Sequence, residues 1–294
     1  FYPANAKIAQ IDNRGENLGR RTRVDLGLVG DVKATLELLL PKLAGNADSA
    51  HLDRASQHYH RARRDLDDLA VGRPGRKPIH PQYVARKLSE LATPDAIFTA
   101  DVGTPTIWAA RYLQMNGQRR LLGSFNHGSM ASALPHAIGA QAAYPGRQVI
   151  SLSGDGGFAM LMGEFLTLTQ MKLPVKVVVF NNGVLGFVSL EMKASGFLPE
   201  GVELQNPDFA KLAEAAGALG IRVEDPADVE AAVTRALAHD GPALLDMVTN
   251  PTELAMPPRA TMEQMKGFGL YLTRAILNGR GDEVMELART NLWR

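Results

Sequence analysis

The sequence predicts an α/β protein built on a doubly wound parallel sheet, preceded by a partial nucleotide-binding segment and followed by a helical tail. Three observations carry this. Two short apolar runs, 148–152 and 175–180, read as strands buried on both faces. The stretch between them, 158–171, has helical spacing, with Met160, Phe165, Leu168 and Met171 able to share a face. From residue 79 to residue 249, strand-like and helix-like segments alternate, as in a parallel sheet covered on both sides.

Taken in order, residues 1–56 read as the end of a nucleotide-binding domain and a linker. A strand-like run at 7–11 ends at Asp12, where an acidic residue can accept a hydrogen bond from a ribose hydroxyl. A helix follows over 31–43, with Leu36, Leu39, Leu40 and Leu43 expected inward. Small residues at 45–50 form a link. Residues 51–69 are highly charged around a thin stripe of Leu52, Ala55, Tyr59, Ala62, Leu66 and Leu69, which predicts a surface helix. His51, His58 and His60 fall on its exposed side. A Pro/Gly break at 72–78 marks entry into the main domain, bounded as 57–252.

Within that domain Pro81 suits the first turn of a helix running to Leu91. Residues 96–100 form a strand ending at Asp101, and Gly103 precedes a helix containing Trp108. A short strand at 120–122, a small-residue helix over 129–143, and the central pair of strands come next. A helix from Leu185, another over 207–216, a strand at 221–223, a helix at 227–238 and a strand at 243–248 complete the alternation. Residues 253–294 stand apart. Pro257-Pro258 breaks the chain, and Met262, Met265, Leu272 and Ile276 share a helical stripe to which Phe268, Leu270, Tyr271 and Leu277 add area. A second short helix starts after Gly281-Asp282 and ends near Trp293. Pattern alone favours these helices packing on their own domain over lying on a membrane.

Composition narrows the function classes. With 294 residues, 45% hydrophobic content and a net charge of +1, the chain has an ordinary globular make-up and no basic excess that would point to nucleic acid. It contains no cysteine, so thiolate metal sites and thiol nucleophiles are excluded from these residues. No apolar run approaches the ~18 residues of a membrane-spanning helix.

The chemistry concentrates where the two central strands end. Asp155 follows the first and Asn182 the second, and in an open α/β sheet ligands sit beyond the carboxyl ends of the strands. A carboxylate and an amide oxygen are hard ligands suited to Mg²⁺ or Ca²⁺, with water, backbone oxygen and substrate phosphate completing the shell. Gly154, Gly156 and Gly157 permit close backbone approach, and the following helix presents free N–H groups to an anion. The pattern asks for a metal-bound diphosphate.

Gly154-Asp155-Gly156, 24 residues, then Asn181-Asn182 resembles the signature of thiamine-diphosphate-dependent enzymes. The runs Gly123-Ser124-Phe125-Asn126-His127-Gly128-Ser129-Met130, Gly154 to Phe158 and Val184-Leu185-Gly186-Phe187-Val188 resemble the C-terminal half of the bacterial quinone-dependent pyruvate dehydrogenases, or pyruvate oxidases. The likeness extends through residues 281–294. It implies that Asp155, Asn182 and the Val184 carbonyl bind Mg²⁺, and that Gly156 and Gly157 line the diphosphate. Gly128, Ser129 and Met130 would meet the aminopyrimidine, with Met130 wedged beneath the cofactor. Gly183, Leu185, Gly186 and Val188 belong to the same cofactor loop. Phe187 would stand between thiazolium and flavin as an electron-transfer residue, and Glu191, four residues on, would face the substrate. Asp12 and Arg14 would touch the adenosine end of FAD, although Arg14 stands where the family has Asn.

The implied reaction is oxidative decarboxylation of pyruvate to acetate and CO₂, with electrons passing through FAD to ubiquinone. The implied setting is a homotetramer in the cytoplasm, peripheral on the inner face of the cell membrane and contacting lipid through the C-terminal segment. The start at Phe1 reads as entry in mid-domain. A pyrimidine-binding domain with its activating glutamate would precede it, so these residues alone are expected to be inactive. Acetolactate synthase is the nearest rival enzyme. It typically has Met at the position of Phe187 and then a Gln-Trp pair, where this chain has Ser189-Leu190. A phosphate-dependent pyruvate oxidase is a second rival, and a non-enzymatic lipid-binding module is a third.

Overall fold

A computed structural model describes residues 2–45, 48–72, 77–254 and 260–291. The chain forms two compact units, residues 1–61 and 62–294. The sequence expectations at Phe1, Pro257-Pro258 and Trp293, and most of the break at 72–78, lie outside the described residues.

In the first unit, β1 (Ala9–Asp12) pairs in parallel with β2 (Leu26–Val29), a strand with no clear periodicity in the sequence. α1 (Val32–Leu39) is capped by Asp31, whose side chain accepts from the Ala34 N–H, and ends in a 3₁₀ turn at Leu40–Lys42. The expectation that Leu36, Leu39, Leu40 and Leu43 point inward is not met: all four are exposed. A two-stranded fragment offers no second layer to cover them. α2 (Ala50–Leu69) follows, with Leu52, Ala55, Tyr59 and Ala62 exposed and only Leu66 and Leu69 of its stripe half-buried.

The second unit is a six-stranded, all-parallel sheet. Its elements run α3 (Pro81–Leu91), β3 (Ile97–Ala100), α4 (Thr104–Tyr112), β4 (Arg120–Leu122), α5 (Ala133–Ala143), β5 (Val149–Gly154), α6 (Asp155–Met160), α7 (Phe165–Gln170), β6 (Lys176–Asn181) and α8 (Gly186–Ala194). α9 (Phe209–Ala215), β7 (Leu219–Val223), α10 (Val229–Ala238), β8 (Ala243–Val248), α11 (Met262–Leu277) and α12 (Gly281–Asn291) complete it. The strand order is β4-β3-β5-β6-β8-β7. The winding reverses between β3 and β5, and the crevice at such a reversal is where open α/β sheets bind ligands.

Period-2 alternation sends the strands' side chains to two cores. Val178 and Phe180 of β6 join Phe98, Ile150, Leu152, Leu245 and Met247 on the face covered by α3, α4 and α10. Val177 and Val179 join Ile97, Val149 and Leu244 on the face where Phe158, Phe165 and Phe209 pack. Phe158 meets Phe165 and Phe209 edge-on, with ring centroids 6.3 and 5.3 Å apart.

Two predicted helices are shorter than the sequence suggests. The stretch 158–171 is α6, a 3₁₀ turn at Met162–Glu164 and then α7, and the break rotates Met160 and Met171 into solvent while Phe165 and Leu168 stay buried. The helix expected over 129–143 begins only at Ala133, because Gly128 and Ala131 adopt positive φ of 70° and 60°.

The tail helices pack on their own domain. Tyr271 and Ala275 of α11 are fully buried, and α11 lies against α8. The Tyr271 hydroxyl donates to Glu283 Oε1 of α12 at 2.8 Å, Lys193 Nζ of α8 lies 3.4 Å from the same oxygen, and Arg274 donates to the Gly196 carbonyl at 2.6 Å. Met262, Met265, Ile276 and Leu277 remain exposed. Among the described residues no helix is long and apolar enough to cross a membrane.

The contact is close enough to need glycine: a Cβ on Gly267 would overlap the Ala194 carbonyl at the end of α8. Gly267→Ala is therefore expected to speed amide hydrogen exchange throughout α11 while leaving β5 and β6 protected. Unchanged exchange in α11 would show that the interface tolerates the methyl group.

Candidate functional site

The carboxyl ends of β3, β5 and β6 open into a cleft of about 200 Å³. β3 contributes Asp101 and the turn to Pro105, β5 contributes Gly154 and the start of α6, and β6 leads through Asn182 into α8. Of the residues singled out from sequence, Gly128, Met130, Asp155, Gly156, Gly157, Asn182, Val184, Leu185, Gly186, Phe187, Val188 and Glu191 line this cleft. Ser129 and Gly183 support the walls: the Ser129 carbonyl accepts from Val102 N–H at 3.3 Å, and Gly183 turns the loop at φ 68°. Asp12 and Arg14 belong to the first unit. There the Asp12 carboxylate accepts from the Arg14 N–H at 2.9 Å and from Asn17 Nδ2 at 3.3 Å, tying a local turn.

Asp155 is 3% exposed. Its Oδ1 accepts from the Gly156 N–H at 2.8 Å, and its Oδ2 from the Gly183 N–H at 2.7 Å and Asn206 Nδ2 at 2.8 Å. Burial raises its pKa above the ordinary carboxylate value, and these hydrogen bonds offset only part of that rise. Asn182 Oδ1 accepts from the Val184 N–H at 3.2 Å, folding the loop so that the Asn182 side chain and Val184 both reach the cleft. Carboxylate, amide and carbonyl oxygen are the donors a hard divalent cation takes, with phosphate and water completing the shell. Among the described residues no three His, Cys, Asp or Glu side chains cluster as a metal cage, so a cation here depends on such ligand oxygens.

The glycines are required by space. A Cβ on Gly156 would lie 2.8 Å from Leu185 Cδ2 and 3.4 Å from Met130 Cε, and one on Gly157 would overlap Asp101 Oδ2. Phe187 is half-buried at the start of α8, and Glu191 is exposed one turn later on the same side.

Three contributors escaped the sequence reading. Asn206 reaches Asp155 from a strap at 202–206 that pairs with the backbone of the loop after β6: Leu185 N–H donates to the Val202 carbonyl and Leu204 N–H to the Gly183 carbonyl, both at 2.8 Å. Asp246 of β8, fully buried, accepts from Asn181 Nδ2 and from Arg222, at 2.8 and 2.7 Å. No local motif marks either residue, because each acts across long sequence separation. The third is Asp101, which stood in the sequence only as a strand end. It is 1% exposed, its Oδ1 accepts from the Ala133 N–H at 2.8 Å, and its buried Oδ2 lacks a hydrogen-bond partner.

That orphaned oxygen lies in the cleft wall beneath Gly157. Burial is the main reason the Asp101 pKa is raised to about 6. Between about pH 4 and pH 6 the folded protein therefore holds a proton that the unfolded chain has released, and stability falls as pH rises through that window. Asp101→Asn in the ligand-free protein is expected to match the wild type near pH 4 and to exceed it at pH 7 by on the order of 2 kcal/mol in urea denaturation. A pH-independent difference would contradict a protonated, desolvated Asp101.

Comparison with known proteins agrees with this geometry. The family model "Thiamine pyrophosphate enzyme, C-terminal TPP binding domain" matches residues 101–247, from Asp101 at the end of β3 to Met247 in β8. A protein of Bacillus subtilis, "Putative thiamine pyrophosphate-containing protein YdaP", is 32% identical over 99% of this chain and 50% of its own length. "Acetolactate synthase large subunit IlvB1" of Mycobacterium tuberculosis is 34% identical over 84% of this chain and 41% of its own. "Acetolactate synthase 2, chloroplastic" of Zea mays is 31% identical over 87% and 42%. The chain spans half or less of the length of these relatives.

Proposed function

The chain belongs to the thiamine pyrophosphate enzyme family, and on that premise we propose that its cleft holds Mg²⁺ and thiamine diphosphate and that the whole protein decarboxylates a 2-oxo acid of the size of pyruvate. The observation that carries the reading is the convergence of Asp155, Asn182 and Val184 on a glycine-lined cleft at the winding reversal of the sheet. The residues present fit the group. Asp155 Oδ1 accepts one short hydrogen bond, from the Gly156 N–H, and Asn182 Oδ1 a longer one from the Val184 N–H, so each has acceptor capacity to offer a cation.

Bound thiamine diphosphate supplies an electron sink for the loss of CO₂. Asp155, Asn182 and the Val184 carbonyl hold the metal that neutralises the diphosphate. Gly156 and Gly157 let the backbone approach the phosphates, and Met130, beside Gly156 in the cleft lining, serves as an apolar support. Phe187 and Glu191 flank the substrate end of the cleft, where Phe187 excludes water and Glu191 presents a carboxylate to a polar substrate atom.

For the fate of the decarboxylated carbon unit, the comparisons favour transfer to a second 2-oxo acid, as in the acetolactate synthases. A second reading is favoured by Phe187 at the cleft wall, followed by Ser189-Leu190. In it, the two electrons pass to FAD and on to ubiquinone, pyruvate yields acetate, and a homotetramer works on the inner face of the cell membrane with lipid at its C-terminal segment. Asp12 and Arg14 would then serve the flavin.

The full-length gene product, incubated with pyruvate, Mg²⁺ and thiamine diphosphate, separates the two. Acetolactate without quinone reduction supports the first reading. Acetate coupled to quinone reduction and stimulated by lipid supports the second. Asp155→Ala is expected to cut turnover by at least about a hundredfold in either case. Full turnover in that variant would overturn the assignment of the metal site.

A further inference from the structure

We propose that Asn206 is a positioning residue for the metal centre: its amide fills Oδ2 of Asp155 and leaves Oδ1 as the oxygen that faces the metal. The inference rests on the reading of Asp155 and Asn182 as metal ligands.

Each carboxylate oxygen offers two lone pairs, so its acceptor directions can be counted. Oδ2 uses both, one toward the Gly183 N–H at 2.7 Å and one toward Asn206 Nδ2 at 2.8 Å. Oδ1 has one short bond, from the Gly156 N–H at 2.8 Å, and the Asn182 N–H adds a weaker pull on the carboxylate. Oδ1 is thus the less heavily bonded oxygen, which suits a one-oxygen contact to a small cation.

The Asn206 amide has no freedom to turn. Its nitrogen gives one hydrogen to Asp155 and the other to Asn181 Oδ1 at 2.9 Å. A flipped amide would set its oxygen against two oxygens. Asn181 immediately precedes Asn182, so one amide ties together the ends of β5 and β6 that carry the two side-chain ligands. Asn181 is held in turn by the buried Asp246, and Asp246 by Arg222. The backbone of Asn206 is placed by the strap bonded to Gly183 and Leu185, so the strap and the ligand loop move as one piece. Groups behind metal ligands act by fixing direction, and their removal typically weakens metal binding 10- to 100-fold.

The test titrates Mg²⁺ into the full-length protein at fixed thiamine diphosphate and follows cofactor binding by protein fluorescence. Folding of the cofactor-free state is checked by circular dichroism. Wild type, Asn206→Ala and Asn206→Ser are compared, since the serine hydroxyl keeps a donor with less bulk at stake. Asn206→Ala is expected to need about tenfold more Mg²⁺ for half-saturation, with cofactor affinity recovering at saturating Mg²⁺ and the circular dichroism spectrum preserved. Asn206→Ser is expected to lie between alanine and wild type. An unchanged Mg²⁺ dependence in Asn206→Ala overturns the inference. So does loss of the folded state in both variants, which would assign Asn206 to the fold and not to the metal. A wild-type protein that binds the cofactor without Mg²⁺, or not at all, instead removes the underlying reading of the metal site.

Discussion

A carboxylate buried at the edge of a parallel sheet constrains everything around it. Asp155 sits 3% exposed where β5 ends, and a desolvated carboxylate is costly unless its oxygens are bonded. The structure meets that demand with two backbone N–H groups and one amide, each from a different part of the chain: Gly156 at the start of α6, Gly183 in the loop after β6, and Asn206 at the end of the strap. Meeting it requires β5 and β6 to be adjacent and in register, with Gly154 opposite Phe180, so that the two loops emerge side by side. The sheet order, the positive φ of Gly183 and the path of residues 202–206 serve this one group.

The same network carries the constraint away from the cleft. Asn181, Asp246 and Arg222 continue the line of hydrogen bonds to β8 and β7, ending on a partly exposed guanidinium that also meets Glu224 at 2.9 Å. A buried acid can thus be tethered to solvent through a paired charge instead of being left isolated. Asp101 is the opposite case. Nothing bonds its Oδ2, and burial holds a proton on it up to about pH 6. Burial raises the pKa of both carboxylates on these neighbouring strands, and they differ in that both Asp155 oxygens are bonded while Asp101 Oδ2 is not.

α8 links the cleft to the tail. Phe187 and Glu191 face the cleft, while Lys193, two residues further on, lies against Tyr271 and Glu283. Close backbone contact at Gly267 and Gly196 seats α11 on the end of α8. The helix that carries these cleft-lining side chains is thus supported from behind by the last two helices. Their remaining apolar side chains, Met262, Met265, Ile276 and Leu277, stay on the outer side.

Much of this was legible in the sequence. Short, mainly apolar runs marked β5 and β6, because strands buried on both faces leave little room for polar residues. Gly-Asp-Gly and Asn-Asn at two strand ends marked the loops that line the cleft, because close backbone approach and oxygen donors at a sheet edge call for those residue types. Two kinds of feature stayed hidden. Local geometry overrode periodicity where a 3₁₀ turn split 158–171 and where Gly128 and Ala131 delayed α5. Long-range pairing was invisible at Asn206, Asp246 and Asp101, ordinary polar residues whose roles exist only once distant strand ends meet. Hydrophobic pattern and donor chemistry, both written in the linear chain, were enough to specify a parallel sheet and the residue types at its carboxyl edge. Which groups bond Asp155, which carboxylate oxygen is left without a partner and what α8 rests on emerged only with the folded chain, since each depends on groups brought together from far apart in the sequence.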